Sequence, residues 1–237
     1  SNFESGVNFT DNLTLTSTDP YTYMNVENST LKYENTKTIA NDDSIFINAA
    51  GSNVTLKSAN DISSTNKTIT GVYSTRSTVK NEGKISLTGD GSSALYAEGS
   101  TVSNEGTGKI TVGKAGSGIY VKETTPPVGT ASGTNYGEIN IDEASVGMRA
   151  ENPTIVNENS GKILSTAEKA TGMSQSGGSQ NIVNKGTITL TGDKSTALHS
   201  EGITTAGHKV VNIGDITVGD SSNELSPSVG IYSANGT

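Results

Sequence analysis

The segments NEGKISLTGDGSSALYAE at residues 81–98 and NEGTGKITVGKAGSGIYVK at residues 104–122 are two copies of one pattern. Each copy starts with Asn, alternates polar and aliphatic residues, passes a Gly-containing turn and reaches a small residue, an aliphatic residue and a tyrosine. Alternation with period two is typical of a β-strand with two different faces, and clustered Gly, Asn and Asp are typical of turns. The pattern therefore predicts short strands joined by tight turns.

The phrase of a small, an aliphatic and a bulky or polar residue recurs along most of the chain. Its copies are Gly71-Val72-Tyr73, Ala94-Leu95-Tyr96, Gly118-Ile119-Tyr120, Gly147-Met148-Arg149, Gly172-Met173-Ser174, Ala197-Leu198-His199 and Gly230-Ile231-Tyr232. Successive copies begin 23, 24, 29, 25, 25 and 33 residues apart. The base period is therefore 23 to 25 residues, with occasional insertions. A regular period of this length is the signature of a solenoid in which each repeat is one coil.

Two further phrases keep the same phase. One is a strand-like alternation, with aliphatic residues at Ile85, Ile110, Ile139, Ile163, Ile188 and Ile216. The other ends on Asn, at Asn81, Asn104, Asn135, Asn157, Asn184 and Asn212. We expect Val72, Leu95, Ile119, Met148, Met173, Leu198 and Ile231 to form one buried column and the isoleucines to form a second. We expect the asparagines to bond to the same amide one coil above and below.

Three strands per 23 to 25 residues predict an all-β fold, a right-handed single-chain parallel β-helix with three faces. Its handedness follows from the general preference of parallel crossovers. Stacking explains how a chain with only 31% hydrophobic residues can fold, because each coil adds a few aliphatic residues to a shared core.

Several segments depart from the repeat. Residues 1–70 show strand-like phrases without the Gly landmark, so we expect degenerate N-terminal coils or a small β cap there. Residues 71–237 are expected to form regular coils, with loop insertions near 122–134, 200–209 and 219–228. The copy at Lys162-Ile163-Leu164-Ser165 breaks the alternation, which suggests a local bulge or register change.

Composition excludes several classes of function. The net charge of −8 without basic clusters argues against nucleic acid and anionic lipid as partners. No apolar run approaches the length of a membrane helix, so we expect this piece to be soluble and to belong to a longer protein. The chain has no cysteine, hence no disulfide and no thiolate site.

An enzyme is the alternative to a binding module, because parallel β-helices can carry carbohydrate lyases and hydrolases. Such chemistry requires converging carboxylates. The adjacent pairs Asp42-Asp43 and Asp142-Glu143 are better explained as solvated turn residues, and His199 as a surface variant of the tyrosine position. A Ser-His-Asp arrangement involving His199 or His208 stays open, although no Gly-x-Ser-x-Gly pattern marks it. We expect no catalytic, cofactor-binding or metal-binding residues and no cofactor.

The candidate binding residues lie on an outward column with one side chain per coil. It comprises Tyr73, Tyr96, Tyr120, Arg149, Ser174, His199 and Tyr232, of which we single out the first four. Aligned aromatic and Arg side chains on a rigid face favour binding of proteins or glycans, although stacked tyrosines can also serve stability alone. The second candidate is the insertion at residues 122–134, where Pro126 and Pro127 must leave the sheet.

Copies such as Asn81-Glu82-Gly83-Lys84-Ile85-Ser86-Leu87 and Gly118-Ile119-Tyr120 resemble the passengers of type V autotransporters, in particular the large fusobacterial outer-membrane adhesins of the RadD type. The resemblance covers roughly residues 70–237. It implies a long β-helical stalk, exposed at the bacterial surface and anchored by a C-terminal outer-membrane barrel that this chain would not contain. It further implies a monomeric adhesin fragment that binds a host-cell receptor protein or glycan, or the surface of partner bacteria.

Overall fold

The structure is a computed structural model that describes residues 15, 17–124, 131–178, 180–202, 208–220 and 226–234. These residues form 25 strands, numbered here in chain order, and no helix. That part of the chain accordingly offers no helix long and apolar enough to cross a membrane.

The strands belong to three sheets, each of which takes every third strand. Sheet 1 contains β1 (Thr22–Glu27), β4 (Ile45–Ala50), β7 (Thr70–Thr75), β10 (Ser93–Glu98), β13 (Ser117–Lys122), β16 (Val146–Glu151), β19 (Thr171–Ser176), β22 (Thr196–Glu201) and β25 (Val229–Ala234). Sheet 2 contains β2 (Thr30–Tyr33), β5 (Asn53–Leu56), β8 (Thr78–Asn81), β11 (Thr101–Asn104), β14 (Ser132–Asn135), β17 (Thr154–Asn157), β20 (Ile182–Asn184) and β23 (Val210–Asn212). Sheet 3 contains β3 (Thr36–Thr38), β6 (Asp61–Ser64), β9 (Lys84–Leu87), β12 (Lys109–Val112), β15 (Glu138–Ile141), β18 (Lys162–Ser165), β21 (Thr187–Leu190) and β24 (Asp215–Val218).

Every pairing in the three sheets is parallel and joins one coil to the next. Leu95, for example, pairs with Val72 on one side and with Ile119 on the other. This register confirms the predicted three-faced parallel β-solenoid. The right-handed sense of the coil stays a prediction.

The predicted inner columns form the core. Val72, Leu95, Ile119, Met148, Met173 and Leu198 are each at most 1% exposed, as are the isoleucines from Ile85 to Ile188. Two members are less buried than expected: Ile216 is only partly buried and Ile231 is 51% exposed, because β24 and β25 are the last strands of their sheets and no described strand lies beyond either one. The expectation that Ile231 is buried is therefore wrong for the described structure.

The irregular copy at residues 162–165 contains no bulge or register change. Ile163 pairs with Ile139 and Ile188, and Ser165 pairs with Leu190, in the same register as the other coils. Leu164 points outward, and Ser165, 7% exposed, occupies the inner position that is aliphatic in neighbouring coils. The predicted bulge is wrong, because the apolar Leu164 lies outward and the polar Ser165 lies inward while the strand pairing stays in register.

The asparagine column forms the predicted ladder of buried amides. Each Nδ2 donates to the Oδ1 one coil further on, at 2.8 to 2.9 Å, along Asn81, Asn104, Asn135, Asn157, Asn184 and Asn212. The same Nδ2 atoms also donate to carbonyl groups within their own turn, such as that of Gly83 for Asn81. The ladder therefore ties the corner between sheets 2 and 3 both within and between coils.

The first two coils use aromatic packing in place of this ladder. Tyr33 and Leu56 continue the asparagine column in sheet 2, and both are fully buried. Phe46 occupies the position of the small residue Gly71 in the next coil, and its ring lies 5.3 Å from the Tyr33 ring. The Gly landmark is thus replaced by an aromatic cluster, and β1 to β6 still join the same three sheets.

The insertions follow complete strands. Sheet 1 strands end at Lys122 and Glu201, and the next strands begin at Ser132 and Val210. A third connection joins Val218 to Val229. Residues 125–130, 203–207 and 221–225, and with them Pro126 and Pro127, lie outside the described residues.

The corner between sheets 3 and 1 has left-handed backbone in the seven coils from β3–β4 to β21–β22. The residues there are Asp43, Thr68, Gly91, Ala115, Ala144, Lys169 and Lys194, with φ between 54° and 70°. Gly adopts this conformation without steric cost, whereas a β-branched residue does so only under strain. Most coils therefore hold a strained residue in place by their inter-coil hydrogen bonds.

Replacement of Asn135 tests the ladder. Asn135→Ala leaves Oδ1 of Asn157 buried without a donor, which costs about 1–3 kcal/mol, and removes one of the acceptors of Asn104 Nδ2. We expect a clear drop in the free energy of unfolding, measured by urea denaturation. The matched control Asn140→Ala removes an outward amide, and an equal loss there would contradict the ladder's role.

Replacement of Thr68 tests the corner strain. Thr68→Gly relieves about 1–2 kcal/mol of steric cost at φ 55° but adds chain entropy to the unfolded state, so we expect a net gain of up to about 1 kcal/mol. The reciprocal control Gly91→Ala, whose added Cβ meets only Thr68 Oγ1 at 3.9 Å, should destabilise through its backbone alone. A lower denaturation midpoint for Thr68→Gly would refute the strain argument.

Candidate functional site

The outward column of sheet 1 contains the predicted binding residues in adjacent coils. Inter-strand pairing aligns, in order, Asn25, Asn48, Tyr73, Tyr96, Tyr120, Arg149, Ser174, His199 and Tyr232. Strand alternation places these side chains outward, because the residues on either side of each one point into the core. The structure thus brings together Tyr73, Tyr96, Tyr120 and Arg149; this group of four is called the tyrosine ladder below.

The side chains of the tyrosine ladder contact one another along the solenoid axis. The rings of Tyr73 and Tyr96 stack with centroids 5.4 Å apart, and Tyr96 meets Tyr120 edge to face at 4.6 Å. The Arg149 guanidinium lies 4.8 Å from the centroid of the Tyr120 ring. Most ring faces are therefore covered by the neighbouring member of the ladder, and the three tyrosines are only partly exposed.

A charged column runs beside the ladder, two residues further along each strand. It contains Glu98, Lys122 and Glu151, which pair in register from one coil to the next. The Tyr120 hydroxyl donates to Glu151, Arg149 lies 3.5 Å from Glu151, and Lys122 lies 3.9 Å from Glu98. The ring of Tyr120 is thus fixed both by its neighbours and by the carboxylate of Glu151.

This environment changes the acidity of the tyrosines. Burial, followed by the charge of Glu98, raises the pKa of Tyr73 above its ordinary value of 10.0. Burial also raises the pKa of Tyr96. The pKa of Tyr120 is raised furthest, by burial and then by the hydrogen bond to Glu151. All three hydroxyls therefore stay neutral at physiological pH and act as hydrogen-bond donors and acceptors.

The tyrosine ladder has the chemistry of a contact surface for a macromolecule. Tyr and Arg dominate binding energy at protein interfaces, and rigid side chains lose little entropy on binding. The guanidinium side chain of Arg149 is 46% exposed and so remains accessible to a partner. Carboxylates and cations alternate beside it, which favours a partner of complementary mixed charge.

The adjacent acid pairs lie in turns, as predicted. Asp42 accepts hydrogen bonds from Lys67 N and Asn66 Nδ2, and the first of these contributes most to its lowered pKa. Glu143 forms an ion pair with Lys114 at 2.9 Å, which lowers its pKa. In the described part of the chain, no three His, Asp or Glu residues are grouped so that they could hold a metal ion.

The two histidines lie at different places. His199 occupies the outward column and stacks on Tyr232 at 5.0 Å, whereas Nε2 of His208 lies 3.1 Å from the buried hydroxyl of Ser200. Nδ1 of His208 is buried without a hydrogen-bond partner among the described residues. The pair thus has no carboxylate to orient the imidazole, as a Ser-His-Asp arrangement requires.

The charged column was not predicted from the sequence. Its signal is present, because Tyr96 and Glu98, Tyr120 and Lys122, and Arg149 and Glu151 are separated by one inward residue and so share a face. Asn25 and Asn48, which extend the outward column, were not predicted either, because their coils lack the Gly landmark. Asn48 Nδ2 donates to Asn25 Oδ1 at 2.9 Å.

A family model described as the BigA third pectate lyase-like domain matches residues 2–173 of the chain. The match contains all four residues of the tyrosine ladder, whereas His199 and Tyr232 lie beyond it. No curated protein and no solved structure shows significant similarity to the chain.

The raised pKa of Tyr120 gives a testable pH dependence. The unfolded chain releases this proton near pH 10.0 and the folded chain only at higher pH, so the stabilisation is complete below pH 10 and is lost as pH rises towards the folded pKa. Tyrosinate absorbance is measured against pH for the wild type and for Tyr120→Phe, and the difference between the two curves reports Tyr120. We expect this difference to develop above pH 10, and we expect Glu151→Gln to move it to lower pH. A difference titration centred at or below pH 10 would contradict the burial of Tyr120.

Proposed function

Because the chain belongs to the family of the BigA third pectate lyase-like domain, we propose that it is a binding section of a bacterial surface adhesin. BigA is an autotransporter-type adhesin, and the β-solenoid fits a passenger-like domain. The family points to a bacterial protein exposed at the cell surface. Anchoring through a C-terminal outer-membrane barrel, as in the large RadD-type adhesins, and a monomeric state are part of this proposal.

The observation that carries the proposal is the tyrosine ladder. Three tyrosines and one arginine in successive coils are held by mutual contacts and by Glu151, which bonds to Tyr120 and lies near Arg149, so their positions are fixed before any partner arrives. A rigid surface of this composition forms contacts at low entropic cost.

The ladder is better suited to a protein than to a glycan. Glycans pack their apolar faces on exposed aromatic ring faces, but here Tyr73 and Tyr96 cover each other and Arg149 lies over Tyr120. Ring edges and a half-exposed guanidinium instead suit backbone carbonyls and carboxylates of a protein. We therefore propose a receptor protein on a host cell or partner bacterium as the ligand.

We propose binding without catalysis. The words "pectate lyase-like" describe the fold of the family and assign no reaction to this chain. The acids on which a carbohydrate-active enzyme would depend are engaged in other contacts, Asp42 with two amide groups and Glu143 with Lys114 and Lys169. No described feature favours the enzyme alternative over the adhesin.

The test is binding of the purified, fluorescently labelled chain to cultured epithelial cells and to other bacteria. We expect Tyr96→Ala with Tyr120→Ala to weaken binding at least about tenfold, because central aromatic residues dominate interface energy. Ser174→Ala, in the same column, is the matched control and should bind like wild type. Protease treatment of the target cells should abolish binding, whereas glycosidase treatment should not.

Deletion of residues 124–130, which removes Pro126 and Pro127 but keeps the buried Ala131 and strand β14, separates the ladder from the neighbouring insertion. The proposal expects the deletion variant to bind like wild type. Loss of binding on deletion, together with full binding by the tyrosine double variant at an unchanged unfolding temperature, would assign the site to the insertion instead.

A further inference from the structure

Two depressions lie at equivalent places on the outer surface of sheet 3. The first has a volume of about 350 Å³, and its lining includes Thr38, Ile39, Ala40, Thr65, Ser86 and Thr88. The second has a volume of about 390 Å³, and its lining includes Asn140, Ile141, Leu164, Thr166, Thr189 and Thr191. Both depressions are wide open to solvent, so a ligand in either one would lie along the surface.

The same sequence feature accompanies both depressions. Ser64 and Ser165 stand at the inner position that Leu87, Val112 and Leu190 fill in other coils, and each serine lines its depression. Each serine Oγ accepts a hydrogen bond from the backbone N–H two residues further on, at 3.1 Å in both cases. A serine at an inner position that is aliphatic in other coils therefore accompanies both depressions.

The chemistry of the lining selects a class of ligand. Every described residue that lines the two depressions is uncharged, although 17% of the chain is charged. Hydroxyl groups lie beside an accessible aliphatic side chain, Ala40 in the first depression and Leu164 in the second. A neutral sugar ring has the matching surface, with hydroxyls at its edge and C–H groups on its face.

The two depressions are joined by one column of outward residues. Strand pairing aligns Ser63, Ser86, Thr111, Asn140, Leu164 and Thr189 along sheet 3. Four coil steps separate Ser64 from Ser165, which is about 19 Å at about 4.8 Å per coil. An extended chain of sugars lying along the axis can therefore reach both depressions at once.

From these observations we propose that sheet 3 carries a binding track for a neutral polysaccharide, with the two depressions as its anchoring subsites. The track lies on a different sheet from the tyrosine ladder and does not depend on it. Contact at two linked subsites raises the affinity for a long polymer above that for a short one, because the second contact is intramolecular.

The experiment measures retention of the purified chain on immobilised β-glucan, mannan and galactan, with anionic polygalacturonate as the comparison. We expect retention on at least one neutral polymer. Ser86→Glu in the first depression or Thr189→Glu in the second should weaken binding about tenfold, and the double variant more than either, as expected for linked subsites. If the charged variants unfold, Ser86→Ala and Thr189→Val take their place in the retention experiment, because each removes a hydroxyl without adding charge.

Two controls separate the track from the ladder. Tyr96→Ala with Tyr120→Ala should leave polysaccharide retention unchanged, and Thr189→Glu should leave protease-sensitive cell binding unchanged. The proposal is overturned if none of the neutral polymers retains the wild-type chain, if polygalacturonate is bound better than all of them, or if folded subsite variants bind like wild type.

Discussion

The structure depends on parallel hydrogen bonding between successive coils in an unbroken register. Each strand finds its partner about one repeat away in sequence, so every inner position meets the same position of the next coil, as Val72 meets Leu95 and Leu95 meets Ile119. This constraint turns single aliphatic residues into continuous buried columns. It also turns single asparagines into a ladder, in which each amide satisfies the next.

The register tolerates exchanges of side-chain volume when a neighbouring column compensates. Gly133 replaces an aliphatic residue in sheet 2, and a Cβ added there would lie 2.7 Å from Val121, which stands where adjacent coils have Ala97 and Ala150. In the first coils, Tyr33 and Phe46 replace an amide and a small residue together. Close packing thus requires a constant volume per coil and not a constant residue at each position.

The same constraint makes the outer faces suitable for binding. Because the inner columns hold the backbone, outward positions can vary between coils without loss of register, as Leu164 shows in sheet 3. Sheet 1 carries the aromatic and charged residues of the proposed protein site, and sheet 3 carries the neutral depressions. Two rigid faces of one solenoid can therefore serve two kinds of partner.

The repeat length, the three faces, the inner columns, the asparagine ladder and the alignment of Tyr73, Tyr96, Tyr120 and Arg149 could all be predicted from the sequence. These features follow from strand alternation and a constant period, which are local properties that can be counted along the chain.

The way in which side chains in different coils meet could be read only from the folded structure. In that structure the rings of Tyr73 and Tyr96 stack, Glu151 bonds to Tyr120, Ser165 leaves its coil in register, and two serines accompany the depressions of sheet 3. Such contacts join residues that are 23 to 31 positions apart across turns of unequal length. Their geometry depends on packing against neighbouring coils, which no local pattern records.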